Sequence, residues 1–308
     1  MPTLSSMIDE VLINLAGYTY QQDRATYITQ DVTATASTIA SPIILQLAST
    51  DNIGKGAIEI DEELFWVDNY DRVGNTATIA PYGRAYLGTT LAAHTAGTKV
   101  TIAPTFPRFV IKRAINDTIN AIGSSIFAAK TTTITSNAAV AAFRLPTTGT
   151  TLSIKKILSI AYQALGSSKE WIPLRNYRFD GNANSTAFTS GQTVSIYDYI
   201  PSGRTVQVVY ATDPVPFTTN AQEFATQTGL PESCKDLIIL GATYRLLSNL
   251  DPARASMVSP QADETDSKRP YGSSQSLTKQ IYALFNQRLN EEIKNQQDKY
   301  PIRVHYSL

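Results

Sequence analysis

Two histidines, His94 and His305, are the only imidazoles this 308-residue chain offers for proton transfer. A nucleophile–histidine–acid triad would have to recruit one of them. His94 lies in an Ala-His-Thr turn, and His305 in a short alternating segment at the end of the sequence. The Gly-x-Ser-x-Gly elbow, the His-Glu-x-x-His helix and the Gly-x-x-x-x-Gly-Lys-Ser/Thr loop do not occur. The acids are more suggestive. Asp61, Glu62 and Glu63 are consecutive, and on a strand Asp61 and Glu63 share one face while Glu62 takes the other. Such a pair could act as acid and base on a polysaccharide, yet nothing places a second acid opposite it. Charged residues between two strands describe a solvated turn. Asp198 sits between Tyr197 and Tyr199, an arrangement that could form a sugar platform, although tyrosines alternating on a strand also describe packing. Trp66 and Trp171 could stack on a sugar or base, but each is expected to be the large core residue of a short-stranded domain. Lys155-Lys156 and Lys268-Arg269, the tight basic pairs, could touch DNA phosphate, but isolated pairs usually read as plain surface. The expectation is a protein that is not an enzyme, with no catalytic, cofactor-binding or metal-ligating residues.

The bulk properties agree. With 26 basic and 26 acidic residues the net charge is zero, which argues against a chain-wide grip on DNA phosphates. A hydrophobic share of 43% and 16 tyrosines suit a chain that buries surface against partners. Cys234 stands alone, so an intrachain disulfide and a cysteine-cluster metal site are both excluded. It falls in a helical apolar pattern and reads as a small core residue. No apolar run approaches the ~20 residues needed to cross a bilayer. The first residues lack the basic and apolar blocks of a signal peptide, so a reducing cytoplasm is the expected folding compartment.

The elements that must position these residues alternate in type. Ile8, Val11, Leu12 and Leu15 have helical spacing, with Ser6 and Asp9 as a start signal and Gly17 as a stop. Short strands follow at Ile43–Leu47, Ala57–Ile60, Glu63–Asp68, Thr76–Ile79 and Lys99–Ile102, with a hairpin turn at Gly74-Asn75. Pro107 opens a second helix, carried by Ile111, Ile115, Ile119 and Ile122. A second β-rich stretch holds expected strands at Thr132–Thr135, Leu152–Leu158, Trp171–Pro173, Thr193–Tyr197 and Val206–Tyr210. Ser185 to Gln192 is a polar surface loop. Leu237, Leu240, Tyr244 and Leu247 define a third helix, and Leu277, Ile281, Leu284, Phe285, Leu289 and Ile293 a fourth. Ile302, Val304, Tyr306 and Leu308 then alternate with polar residues, the pattern of an extended arm with one apolar side, which either folds back as an edge strand on its own domain or adds as a strand to another subunit.

The fold class expected is α+β: a bundle of about four helices with two inserted all-β regions, sandwich or barrel-like, and an extended C-terminal arm. The boundaries are a first helix in 1–24, a β insertion in 25–104, a bundle helix in 105–130 and a second β insertion in 131–218. Bundle helices with a polar linker at 253–276 fill 219–299, and the arm is 300–308.

One segment carries a resemblance. Gly83-Arg84-Ala85-Tyr86-Leu87-Gly88-Thr89-Thr90, continuing through His94 and Gly97-Thr98-Lys99-Val100, resembles a segment of tailed-bacteriophage virion proteins. There a strand with an acidic pair, here Glu62-Glu63, precedes an Arg/Tyr-Gly-Thr turn and a His-x-x-Gly-Thr-x-Val strand. The helix from Cys234 to Leu250 is similar to one in head-to-tail adaptor proteins. Gly88, His94 and Gly97 would shape a tight turn of the β insertion, with His94 a structural hydrogen-bonding residue. The resemblance implies a homo-oligomeric ring of about twelve copies at the head–tail junction of the virion, assembled in the host cytoplasm. Its partners would be the portal protein and a downstream neck or tail protein. Genomic DNA would pass through the lumen without sequence-specific binding, and no membrane is involved. The arm, through Ile302, Val304, Tyr306 and Leu308, would dock on the portal or a neighbour. Simple adaptors are shorter and mostly helical, so a second expectation stays open: a tail or baseplate structural protein whose β domains bind glycan through Tyr197, Tyr199, Trp171 and the Ser185–Gln192 loop.

Overall fold

The computed structural model describes residues 2–16, 24–137, 140, 142–145, 154–165, 169–248 and 273–301. Among the described residues it is a mixed α and β protein with five α-helices and antiparallel sheets. The chain divides into two compact units, one made of 1–4, 116–238 and 283–308, the other of 5–115 and 239–282.

Helix α1, Leu4–Ala16, buries Leu4, Met7, Ile8, Val11 and Leu15 at helical spacing. It begins two residues before Ser6, so Ser6 is an interior helical residue and not the expected cap. The first β region is one six-stranded sheet. Its strands are β1 (Arg24–Tyr27), β2 (Ile44–Gln46), β3 (Gly56–Ile60), β4 (Glu63–Asp71), β5 (Thr76–Ile79) and β6 (Lys99–Ile102). They run in the order β1-β6-β3-β4-β5-β2, each neighbour antiparallel. The two outer strands meet: Ile28 bridges Leu47, and Thr29 N–H donates to the Gln46 carbonyl while Ala48 N–H donates to that of Tyr27. The sheet thus closes on itself around Ile28, Leu45, Leu47, Ile58, Ile60, Phe65, Val67, Ile79 and Val100.

The β4–β5 hairpin turns where Gly74-Asn75 predicts it. Asp71 accepts from the N–H groups of Val73 and Gly74, and Asn75 takes the left-handed conformation at φ 51°. Helix α2, Arg108–Ile122, starts just after Pro107 and buries Ile111, Ile115, Ile119 and Ile122. Its first N–H, from Arg108, donates to the buried Glu59 carboxylate at 2.6 Å. A carboxylate there satisfies an orphan donor and complements the positive end of the helix dipole.

The second β region contains two sheets. One has the order β10-β9-β13-β7, from β7 (Ala128–Thr135), β9 (Ile154–Gln163), β10 (Trp171–Pro173) and β13 (Thr205–Thr212). The other is β11-β12-β8, from β8 (Ala142–Arg144), β11 (Tyr177–Asp180) and β12 (Thr193–Ile196). Ile160, Val206, Val208 and Tyr210 of the first share a hydrophobic cluster with Val194 and Ile196 of the second. Burial of that kind is what lets strands too short to stand alone form a stable layer.

Helix α3, Phe224–Thr228, has no counterpart in the periodicity, since five residues are too few to show a period. It stops at Gly229, whose φ of 72° and close approach to Ala128 exclude a side chain: an added Cβ would lie 2.8 Å from that of Ala128. Helix α4, Lys235–Ser248, and helix α5, Ser273–Lys299, follow. Helix α5 starts inside the expected 253–276 linker, because Ser273 to Ser276 are already helical.

Arg288 of α5 donates to Asp236, Glu291, Glu292 and the Ser233 carbonyl. Buried Glu292 in turn accepts from Ser233 Oγ at 3.1 Å and faces Cys234 Sγ at 3.7 Å. Burial, reinforced by the Glu292 charge, pushes the Cys234 thiol up to about 12. Native protein is therefore expected to leave Cys234 unmodified by a thiol reagent at pH 8, with full reaction only in denaturant. Rapid labelling of the folded chain would contradict this placement.

Candidate functional site

The residues of the Gly83–Val100 segment converge on a single buried carboxylate. Glu63 begins β4, and its parity with Phe65 and Val67 turns it into the interior of the closed sheet, where its side chain is fully buried. Arg84 approaches it as a two-pronged fork, with Nε to Oε1 and Nη2 to Oε2, both at 2.8 Å. The backbone N–H groups of Ala85 and Ala92 donate to the same two oxygens at 3.0 and 2.9 Å. His94 Nε2 completes the set, 3.0 Å from Oε2.

Arg84 spends its remaining donors on carbonyls. Nη1 reaches those of Thr33 and Thr35, Nη2 reaches that of Ala92, and the guanidinium lies 4.7 Å over the Phe65 ring. Both imidazole nitrogens of His94 face carboxylates, Nδ1 being 2.7 Å from Asp61 Oδ2. Carboxylates only accept, so both nitrogens donate when the ring is protonated. The His94 backbone also pairs with Val32 in both directions at 2.8 Å. Three separate loops are fastened to one strand by this cluster.

Its electrostatics follow from the geometry. Burial pushes the Glu63 carboxyl up, but hydrogen bonds from Arg84, His94, Ala92 and Ala85 outweigh that and hold it at about 2, against an ordinary 4.5. Burial pulls His94 down, and Glu63 and Asp61 more than compensate, raising it above 6.5. A depressed carboxylate contributes stability above its unfolded value and loses it as pH falls through the folded one. A raised histidine contributes fully below its unfolded value and loses it as pH rises through the folded one. Denaturant midpoints of the first β region are therefore expected to peak between pH 4.5 and 6.5, falling on both sides. His94→Gln should flatten the alkaline limb while leaving the acid limb, set by Glu63, in place. An alkaline limb unchanged in that variant would contradict the assignment.

The loop that Arg84 anchors is strained. Tyr82, Ala85 and Leu87 all have left-handed backbones, with φ of 60°, 49° and 56°. Gly88 and Gly97 have φ of 80° and 87°, where a glycine carries no penalty. Gly83 is needed for closeness instead, since an added Cβ would sit 2.9 Å from the carbonyl oxygens of Ala80 and Trp66. Gly83→Ala is expected to cost about 1–3 kcal/mol in unfolding experiments through this overlap. A neutral result would mean the two carbonyls give way. The strained turn leaves Tyr82 and Leu87 77% and 66% exposed, with the Tyr86 ring tilted against that of Trp66, centroids 5.0 Å apart. Apart from the buried Arg84 and His94, nothing between Tyr82 and Thr98 carries charge.

The other candidate residues separate. Glu62 pairs with Lys112 at 3.3 Å. Trp66 and Trp171 are each 39% exposed, so neither is the core residue expected; on β4 the inward places belong to Phe65 and Val67. Asp198 accepts from the N–H groups of Arg175 and Asn176 and from the Asn176 side chain, so it staples a loop. Tyr197 and Tyr199 beside it point to solvent. Asn184 accepts from Ala187, Phe188 and Thr186 N–H groups, folding the Ser185–Gln192 loop on itself. Lys155 donates to the Gly123 carbonyl and pairs with Asp213, and Lys156 lies over Phe127. Residues 302–308, with Ile302, Val304, His305, Tyr306 and Leu308, lie outside the described residues, as do Lys268-Arg269 and Gly17.

With all five contacts to Glu63 accounted for, its oxygens are committed to holding loops. Among the described residues no group of three or more His, Cys, Asp or Glu could hold a metal ion. No described helix is long and apolar enough to cross a membrane. Comparison with known families is decisive here: residues 84–305 match the SU10 adaptor protein family. The chain belongs to that family of phage adaptor proteins. The matched span begins at Arg84, the residue that clamps Glu63, and takes in His94, the second β region and helices α2 to α5. Among curated proteins nothing matches the chain. As a phage adaptor it is a virion component that joins other virion proteins, a family not typically enzymatic.

Proposed function

We propose that this adaptor forms a closed ring of about twelve copies between the portal and the neck or tail, through which the genome passes without sequence-specific contact. The observation that carries the reading is helix α5. It runs for 27 residues, yet of its apolar positions from Leu277 onward only Phe285 is buried in the single chain. Tyr282 and Leu284 are exposed, and Leu277, Ile281, Leu289 and Ile293 are half-covered. An apolar stripe of that length calls for a partner, and a second copy offers the same stripe at every position of a ring. The arm Ile302, Val304, Tyr306 and Leu308 locks the ring to its neighbours by strand addition. The strained Tyr82–Leu87 turn, whose one charge is the buried Arg84, continues through Gly88 and Gly97 above the buried His94 and presents a rigid surface on the first β insertion.

Mass measurement and negative-stain imaging of the full chain, alone and with portal, test this. Closed rings stacked on portal are the expected result, and monomers in both samples the contrary one. The exposed Tyr197 and Tyr199 support a second reading, a tail or baseplate role with a glycan-binding β domain. Saccharide-dependent quenching of tryptophan fluorescence would favour it, and no response across a glycan panel would remove it.

A further inference from the structure

Histidine is the side chain whose ordinary titration falls near neutrality, and His94 is buried with a carboxylate on each ring nitrogen. Nδ1 is 2.7 Å from Asp61 and Nε2 is 3.0 Å from Glu63. A protonated ring has two N–H groups and serves both acids. A neutral ring has one, and its other nitrogen presents a lone pair. Two contacts then compete for one proton, so one carboxylate is given up when the ring titrates.

The surroundings decide which. Glu63 cannot move away, because its side chain is fully buried and Arg84, with the Ala85 and Ala92 N–H groups, holds both of its oxygens. A lone pair aimed at that fixed charge would be repelled, with no water to relieve it. Asp61 is 60% exposed, so its carboxylate can turn to solvent. The ring cannot follow Asp61: the His94 backbone pairs with Val32 in both directions, and the ring lies against Phe65, centroids 5.6 Å apart. The other charged groups around it are committed. Arg84 serves Glu63 and the carbonyls of Thr33, Thr35 and Ala92, and Asp31 accepts from the Ala96 N–H. Nδ1 is therefore the nitrogen that loses its proton.

Asp61 and Glu62 form the tip of the β3–β4 hairpin, between the paired Ile60 and Glu63. Cations hold both residues of the tip, His94 on Asp61 and Lys112 of α2 on Glu62. We propose that Asp61 and His94 form a proton-operated latch, which fastens the hairpin tip to residues 92–95 while the ring is charged and frees Asp61 alone when the ring is neutral. Glu63 and Arg84 keep their clamp in both states, so the opening is local and reversible. Its direction follows from linkage. Burial lowers His94, but Glu63 and Asp61 raise it above 6.5, so the latch is shut below that value and opens as pH rises through the raised one. The first β insertion thus tightens in mild acid. The latch belongs to the single chain and stands independently of the ring.

In full-length His305→Gln protein, His94 is the only imidazole. Nitrogen NMR of that protein, labelled at histidine, is expected to show a charged ring in mild acid that passes, above pH 6.5, to a neutral form protonated on Nε2. Hydrogen exchange of residues 59–64, corrected for the intrinsic rate, is expected to lose protection over the same pH range. Asp61→Asn should keep that protection throughout. An amide accepts from an N–H and donates to a lone pair, and asparagine tolerates the left-handed backbone at φ 55°. A neutral ring protonated on Nδ1 would overturn the latch. So would exchange at the tip that ignores pH, or an Asp61→Asn protein that opens as the native one does.

Discussion

Glu63→Ala is expected to destabilise the first β region by about 3–5 kcal/mol, the usual cost of leaving a buried charge without its partner. The charge stranded is Arg84, whose side chain is 1% exposed and whose fork is matched to both oxygens of Glu63. Depression of the Glu63 carboxyl from 4.5 to about 2 corresponds to roughly 3 kcal/mol, an independent figure of the same size. Arg84→Lys should fail to preserve stability, because an ammonium cannot reach Glu63, Ala92, Thr33 and Thr35 together. Glu62→Gln serves as the control. Its partner Lys112 is partly exposed, so a loss below about 1 kcal/mol is expected. Trp66 reports on this region in a Trp171→Phe background, and equal losses for Glu62 and Glu63 variants would refute the clamp.

Deletion of Pro301–Leu308 is expected to leave both units folded and to abolish docking to the portal. The contacts that fix the end of α5, Gln296 to Phe127 and Tyr300 on Phe127, all precede the cut. On the proposed strand addition, the loss would be of backbone hydrogen bonds that contribute roughly 0.5–1.5 kcal/mol each. Repetition around the proposed ring would make that loss cooperative. Whether the arm lies on portal or on the next copy, the truncated chain has nothing to lock with. Unchanged unfolding together with unimpaired head–tail joining would contradict the role given to the arm.

Periodicity was enough to find the long elements. Ile111, Ile115, Ile119 and Ile122 mark one face of α2, and Pro107 marks its start, because both signals are local. Helix α3 escaped for the opposite reason, having five residues and no period to read. The clamp was legible in part. His94 and the acidic residues ahead of it stood out, but Glu63 and Arg84 are 21 positions apart and Asp61 and His94 are 33 apart. Such pairings depend on how the sheet closes, which no single stretch encodes. One signal was available: in Glu63-Leu64-Phe65-Trp66-Val67 the glutamate shares the parity of Phe65 and Val67, which requires a buried partner. The same parity would have turned Trp66 outward.

The central claim is that copies of this chain join into a closed ring on a portal. Native mass measurement of the full-length protein with portal tests it most directly. The account predicts one discrete species, a closed ring of adaptor on the portal, dependent on residues 301–308. A chain that stays monomeric with portal present, at concentrations where heads and tails join, would contradict it.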